Sequence, residues 1–119
     1  MRSSKKRLNP KLKKNLLESF YQLLSALDDK QEVEKFLDSF FTKAELLNFS
    51  KRLAIIQMLE KEVPYGEIKK KLKVSSATIA VVAESIQKKP QGLTIALKKM
   101  QAEAWASKTA KQITNFLKI

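Results

Sequence analysis

Glycine occurs only twice in this 119-residue chain, at Gly66 and Gly92, and no stretch alternates apolar and polar residues between turn signals, so β-strands have little support. What recurs instead is the period of the α-helix. Asn9-Pro10 is a helix start, an N-cap followed by proline at the first helical position, and Leu12, Leu16, Phe20, Leu23, Leu24 and Leu27 then repeat at helical spacing. The pattern breaks at Asp28-Asp29. Asp29 with Glu32 makes an acidic capping pair for a second helix carrying Phe36, Leu37 and Phe40. Thr42 with Glu45 makes a capping box for a third, on which Leu46, Phe49, Leu53, Ile56 and Leu59 share a face. Beyond Pro90, the residues Leu93, Leu97, Met100, Ala104, Ile113 and Phe116 describe one long or two shorter helices. The expectation is an all-α fold of about six helices in a single domain over residues 9–119, preceded by a mobile basic arm over residues 1–8.

Within that pattern, Val63 to Lys88, VPYGEIKKKLKVSSATIAVVAESIQK, reads as two short helices joined by a tight turn. Pro64 suits a first helical position, where its missing N–H would have no partner, and Ile68 and Leu72 lie four apart on one face. Val74 falls in the turn. The Ser75 hydroxyl is placed to cap the second helix, which carries an apolar stripe of Ile79, Val82 and Ile86. Its opposite face holds Ser76, Ala77, Thr78 and Ala80, all short enough for a backbone to approach a groove closely. This is the outline of a helix-turn-helix over residues 64–88, a motif that reads duplex DNA by placing the N-terminal residues of its second helix in the major groove.

Charge agrees with that reading. The 24 Lys+Arg against 12 Asp+Glu give a formal charge of +12 and call for a polyanionic partner. Residues 1–14 hold seven basic and no acidic residues, residues 15–60 five and eight, and residues 61–119 twelve and four. The middle is then scaffold, and the ends are contact surface. Lys5, Lys6, Arg7, Lys11, Lys13 and Lys14 are either a solvated arm or a strip lying along phosphates. The chain has no cysteine and no histidine, which removes disulfides, thiolate nucleophiles, zinc sites and imidazole chemistry. With no Gly-rich phosphate loop and no carboxylates at catalytic spacing, neither an enzyme nor a cofactor is expected. No apolar run approaches the roughly 20 residues of a spanning helix, and Met1–Pro10 has no apolar segment behind its basic residues. A soluble cytoplasmic protein follows.

The block from Phe40 to Ile86 resembles the core of the Trp repressor superfamily, and most closely its Trp-repressor-like regulators. The likeness spans 47 of 119 residues and rests on four pieces in unbroken spacing: Phe40, Thr42, Glu45 and Leu46; Arg52 and Leu53; Tyr65, Glu67 and Ile68; and Ala77, Thr78 and Ile79. It implies about six helices in an intertwined homodimer with one helix-turn-helix on each side. By this resemblance Lys69, Lys70 and Lys73 would sit near phosphates, Tyr65 near a phosphate or packed at its helix start, and Ser75, Ser76, Ala77, Thr78 and Ala80 against bases. Thr78 is the foremost candidate; the alternative for it is a local bond at the helix terminus. Two recognition helices about 34 Å apart would read a palindrome, and two +12 chains make a +24 particle that binds duplex through counterion release. The implied function is a sequence-specific, repressor-like transcriptional regulator.

Departures from the family pattern carry their own expectations. Tryptophan-responsive members place an arginine two residues after A-T-I and a small residue next to it, where this chain has Val81 and Val82. Arg52 matches the other arginine of that pocket, and is a weak candidate for ligand binding. Without its partner it is expected to bond a backbone carbonyl or an acidic side chain, while the valines fill the cavity. Tryptophan is therefore not the expected effector, and any other effector is left open. Lys73 stands where the turn often has glycine because the backbone tends toward positive φ, at a cost of about 1 kcal/mol for a lysine. The recognition helix is read as lacking arginine, glutamine and asparagine, so specificity would rest on Thr78, thymine methyls, water and DNA shape. Two other classes stay open: a low-specificity architectural or replication-associated DNA binder, and a helical bundle that binds only protein. Trp105, the single tryptophan, is expected in core or dimer packing.

Overall fold

The computed structural model describes residues 6–106 and 108–117, with side chains through Glu103 and again from Gln112 to Phe116. The packing expected of Trp105 lies outside the described side chains. Among the described residues there are seven α-helices and no strand: α1 (Pro10–Ala26), α2 (Lys30–Phe40), α3 (Lys43–Glu60), α4 (Tyr65–Leu72), α5 (Ser76–Lys88), α6 (Pro90–Ala106) and α7 (Lys108–Leu117). The two shorter C-terminal helices are thus the form the segment after Pro90 takes. None of the described helices is long and apolar enough to cross a membrane. The chain divides into two compact units, Met1–Leu46 and Leu47–Ile119.

In the first unit, helix boundaries follow from local side-chain chemistry. Asn9 Oδ1 accepts from the N–H groups of Lys11 and Leu12 at 2.9 and 3.3 Å, which satisfies two donors of the first turn of α1. Asp29 Oδ1 accepts from Glu32 N at 2.9 Å, and Glu32 Oε1 accepts from Asp28 N at 2.7 Å, fixing the start of α2. Thr42 and Glu45 close a reciprocal box on α3, with Thr42 Oγ1 accepting from Glu45 N at 3.1 Å and Glu45 Oε1 from Thr42 N at 2.9 Å. The Thr42 N–H, and after it the Thr42 hydroxyl, hold the Glu45 carboxyl below its ordinary pKa. Phe40 stacks on Phe20 and Phe36 with ring centroids 5.8 and 5.0 Å apart, and meets Phe41 edge-on. Neither α1 nor α2 buries a residue, and Leu12, Leu16, Leu17, Tyr21, Leu23, Leu24, Val33 and Phe40 are all exposed.

The second unit contains the buried core: Ile55, Ile56 and Met58 of α3, Val63, Ile68 of α4, and Ile79 and Val82 of α5. Leu59, Leu72, Val74, Ile86, Leu93 and Leu97 pack around it half-buried. The face of α3 that its spacing picks out reaches the core in the C-terminal half, where Ile56 is buried and Leu59 half-buried. Ile55 and Met58 are fully buried, whereas Phe49 and Leu53 are exposed. Apolar residues surround the C-terminal half of this helix, so its neighbours, and not its own periodicity alone, choose the buried side. The helix ends on Glu62 at φ 61°, with Val63 N donating to Met58 O at 3.0 Å and Glu62 N to Leu59 O at 3.0 Å. This is a Schellman closure, and Val63 folds back beside Met58 in the core.

Candidate nucleic-acid interface

Helix α4 has only eight residues, too few to be stable alone. Pro64 proves to be its N-cap, with extended backbone (ψ 146°), one position ahead of the place expected from sequence. The reason lies in its carbonyl, which accepts from Glu67 N at 3.0 Å and Ile68 N at 3.2 Å and so begins the helix itself. The helix closes at Lys73, φ 55° and ψ 51°, whose N–H donates to Lys69 O at 2.9 Å. The left-handed turn anticipated at this position is therefore made by a lysine. Val74 is half-buried in the turn, and Ser75 Oγ accepts from Thr78 N at 3.1 Å to cap α5. Helix α5 stops at Lys88 because Lys89 precedes Pro90, the first residue of α6.

This geometry sorts the candidate residues into two exposed strips. On α4, Ile68 is buried and Leu72 half-buried, while Tyr65, Lys69, Lys70 and Lys73 face solvent. Lys69, Lys70 and Lys73 form no ion pair among the described residues, so their charge is open to a partner. On α5, Ile79 and Val82 enter the core, and Ser75, Ser76, Ala77, Thr78 and Ala80 are exposed together with Val81. The first turn of α5 carries no acidic residue, leaving the positive end of its dipole unopposed. Thr78 Oγ1 lies 2.9 Å from Ser75 Oγ, the local bond that was its alternative reading. Farther along, Lys88 Nζ pairs with Glu84 at 2.6 Å.

Between α3 and the start of α5 lies an open groove of about 500 Å³, lined by Lys51, Arg52, Lys73, Ser75, Thr78 and Val81 among others, with no acidic residue in its wall. Val81 stands exposed at its edge and Val82 is drawn into the core, so the valines do not fill it. Arg52 finds neither a carbonyl nor a carboxylate there. Its Nη2 donates to Ser85 Oγ at 3.3 Å, and that hydroxyl donates onward to Val81 O at 3.1 Å. Sequence reasoning missed Lys51 in the groove wall and Ser85 as the partner of Arg52, since nothing local joins Arg52 and Ser85, 33 positions apart. The reading that α5 lacks glutamine is corrected by Gln87, which lies inside the stretch already assigned to the second helix and lines a second, more apolar groove beside Ile86 and Pro90. Among the described residues no acidic, histidine or cysteine side chains cluster where a metal could be held.

No curated protein and no solved structure matches the chain significantly. The family model described as Trp repressor protein matches residues 15–101, a span that runs from α1 into α6 and holds the whole helix-turn-helix. With well over half its length matched, the chain belongs to the Trp repressor protein family, a family of DNA-binding helix-turn-helix regulators.

Proposed function

We propose that this chain is a repressor-like transcriptional regulator that grips duplex DNA along the exposed edge of α4 and α5. The observation that carries this reading is the pairing of unpartnered Lys69, Lys70 and Lys73 with the small exposed residues Ser75, Ser76, Ala77, Thr78 and Ala80 around one capped helix start. The lysines meet phosphates, and the short side chains let the α5 backbone approach base edges. Thr78 turns its hydroxyl from Ser75 toward DNA on docking.

The working unit is a homodimer. In support, α1 and α2 bury no residue of their own and leave a run of leucines uncovered. Such apolar area is what a partner copy removes from water. Tryptophan does not act as effector, because Val81 stands at the edge of the groove beside α5 where tryptophan-responsive members carry an arginine, and the Arg52 guanidinium is already held by Ser85. The protein works in the cytoplasm, without a cofactor and without catalysis. A binding-site selection followed by footprinting tests the function: two protected half-sites about one helical turn apart are expected, and uniform coverage of any duplex would instead establish the low-specificity architectural role. Added tryptophan should leave the affinity for the selected site unchanged.

A further inference from the structure

We infer that Lys71 is a positioning residue for the helix-turn-helix, anchoring α4 from behind to the C-terminal helix α7. The inference rests on the DNA reading proposed above and extends it to a part of the chain that the family match, ending at residue 101, does not reach. Within the run of lysines on α4, Lys71 behaves differently from its neighbours. Lys69, Lys70 and Lys73 are exposed, whereas Lys71 is half-buried, on the flank that also carries Ile68 and Leu72. Its ammonium donates to the carbonyl of Phe116 at 3.0 Å and lies 5.4 Å from the centroid of the Phe116 ring.

Three features make this contact a natural anchor for a cation. Phe116 lies in the last turn of α7, where carbonyls have no intrahelical donor and the helix dipole is negative. The ring face adds attraction for the same charge. Helix α7 is itself supported, packing along α6 and bringing Ile113 and Thr114 to a groove shared with Gln57 and Met100. The recipient needs the support, since α4 has eight residues and no side-chain cap at its start. Apart from Ile68, little of it reaches the core. Because Lys71 points away from the strip of Lys69, Lys70 and Lys73, it acts on DNA binding through the placement of α4 and not through a phosphate.

The test compares full-length Lys71→Met and Lys71→Arg with the parent. Amide hydrogen exchange of residues 66–73 is followed in the free protein, and affinity for a fluorescent duplex is followed across a salt series. Lys71→Met should speed exchange across α4 and weaken DNA binding, each by about three- to tenfold, while the slope of log affinity against log salt stays at the parent value. Lys71→Arg, which keeps the charge and stacks on a ring, should restore both. Unchanged exchange, unchanged affinity, or a slope reduced by about 0.9 per chain, the signature of a lost phosphate contact, would overturn the inference. If the parent ignores DNA altogether, the proposed function fails on its own, while the exchange comparison still decides whether Lys71 anchors α4.

Discussion

Replacing Lys73 with glycine should make the protein more stable and bind DNA less tightly, two opposite effects from one position. At φ 55° and ψ 51°, Lys73 holds the left-handed conformation that ends α4, a placement that costs an L-residue about 1–2 kcal/mol. Glycine removes that strain but loses about 0.5–1 kcal/mol more backbone entropy on folding. The net gain is about 0.5–1 kcal/mol. The side chain is exposed and unpaired, and its N–H bond to Lys69 O survives in glycine, so no other term offsets the gain. For a chain of this size the rise in Tm is about 2–5 °C at fixed protein concentration. Lys73→Ala is the control, removing the same charge while keeping a Cβ in the strained conformation. Calorimetry should rank glycine above both lysine and alanine, and salt-dependent DNA titrations should give both variants the same shallower slope, lower by about 0.9 per chain. A glycine variant no more stable than the alanine variant would refute the turn geometry, and a normal slope would refute the phosphate contact.

Further expectations concern the core, the caps and pH. Ile79→Ala, at a fully buried position on the inner side of α5, should destabilise by about 2–5 kcal/mol in urea unfolding. Thr42→Ala removes half of the box at the start of α3 and should cost about 1 kcal/mol in the same assay. The Glu45 carboxyl is held below its ordinary pKa by the Thr42 bonds, so its stabilising contribution is complete above the unfolded-state value and is lost as pH falls through the lower folded-state value. The urea midpoint of Glu45→Gln should accordingly lie below the parent's at neutral pH and converge on it in acid.

Sequence reasoning reached farthest where the cause of a structure is local. Asn9, Asp29, Thr42 and Ser75 each cap the helix they were expected to cap, because donor and acceptor lie within three residues of each other. Lys73 was legible for the same reason, as the closing position of a turn. Glu62 was not, since no glycine marks its left-handed turn and the bonds that close it come from main chain alone. The buried side of α3 was legible in part: Ile56 and Leu59 of the expected face reach the core, whereas the burial of Ile55 and Met58 is decided by partners on α4 and α5. Arg52 and Ser85 are 33 residues apart and Lys71 and Phe116 are 45 apart, so no periodicity connects either pair. The exposed strip of α5 was readable as a set, because burying Ile79 and Val82 turns Ala77 and Ala80 outward.

Whether the outward edge of α5 meets DNA is decided most directly by placing a carboxylate on it. Ala77 is exposed in the first turn of α5, where an aspartate is favourable to the helix itself, so Ala77→Asp should keep or slightly raise the parent Tm. Fluorescence anisotropy against a duplex at about 50 mM salt should then show binding weakened at least tenfold, by repulsion from phosphates and bases. Parent-like affinity in a folded Ala77→Asp protein would mean that this edge is not the surface that holds DNA.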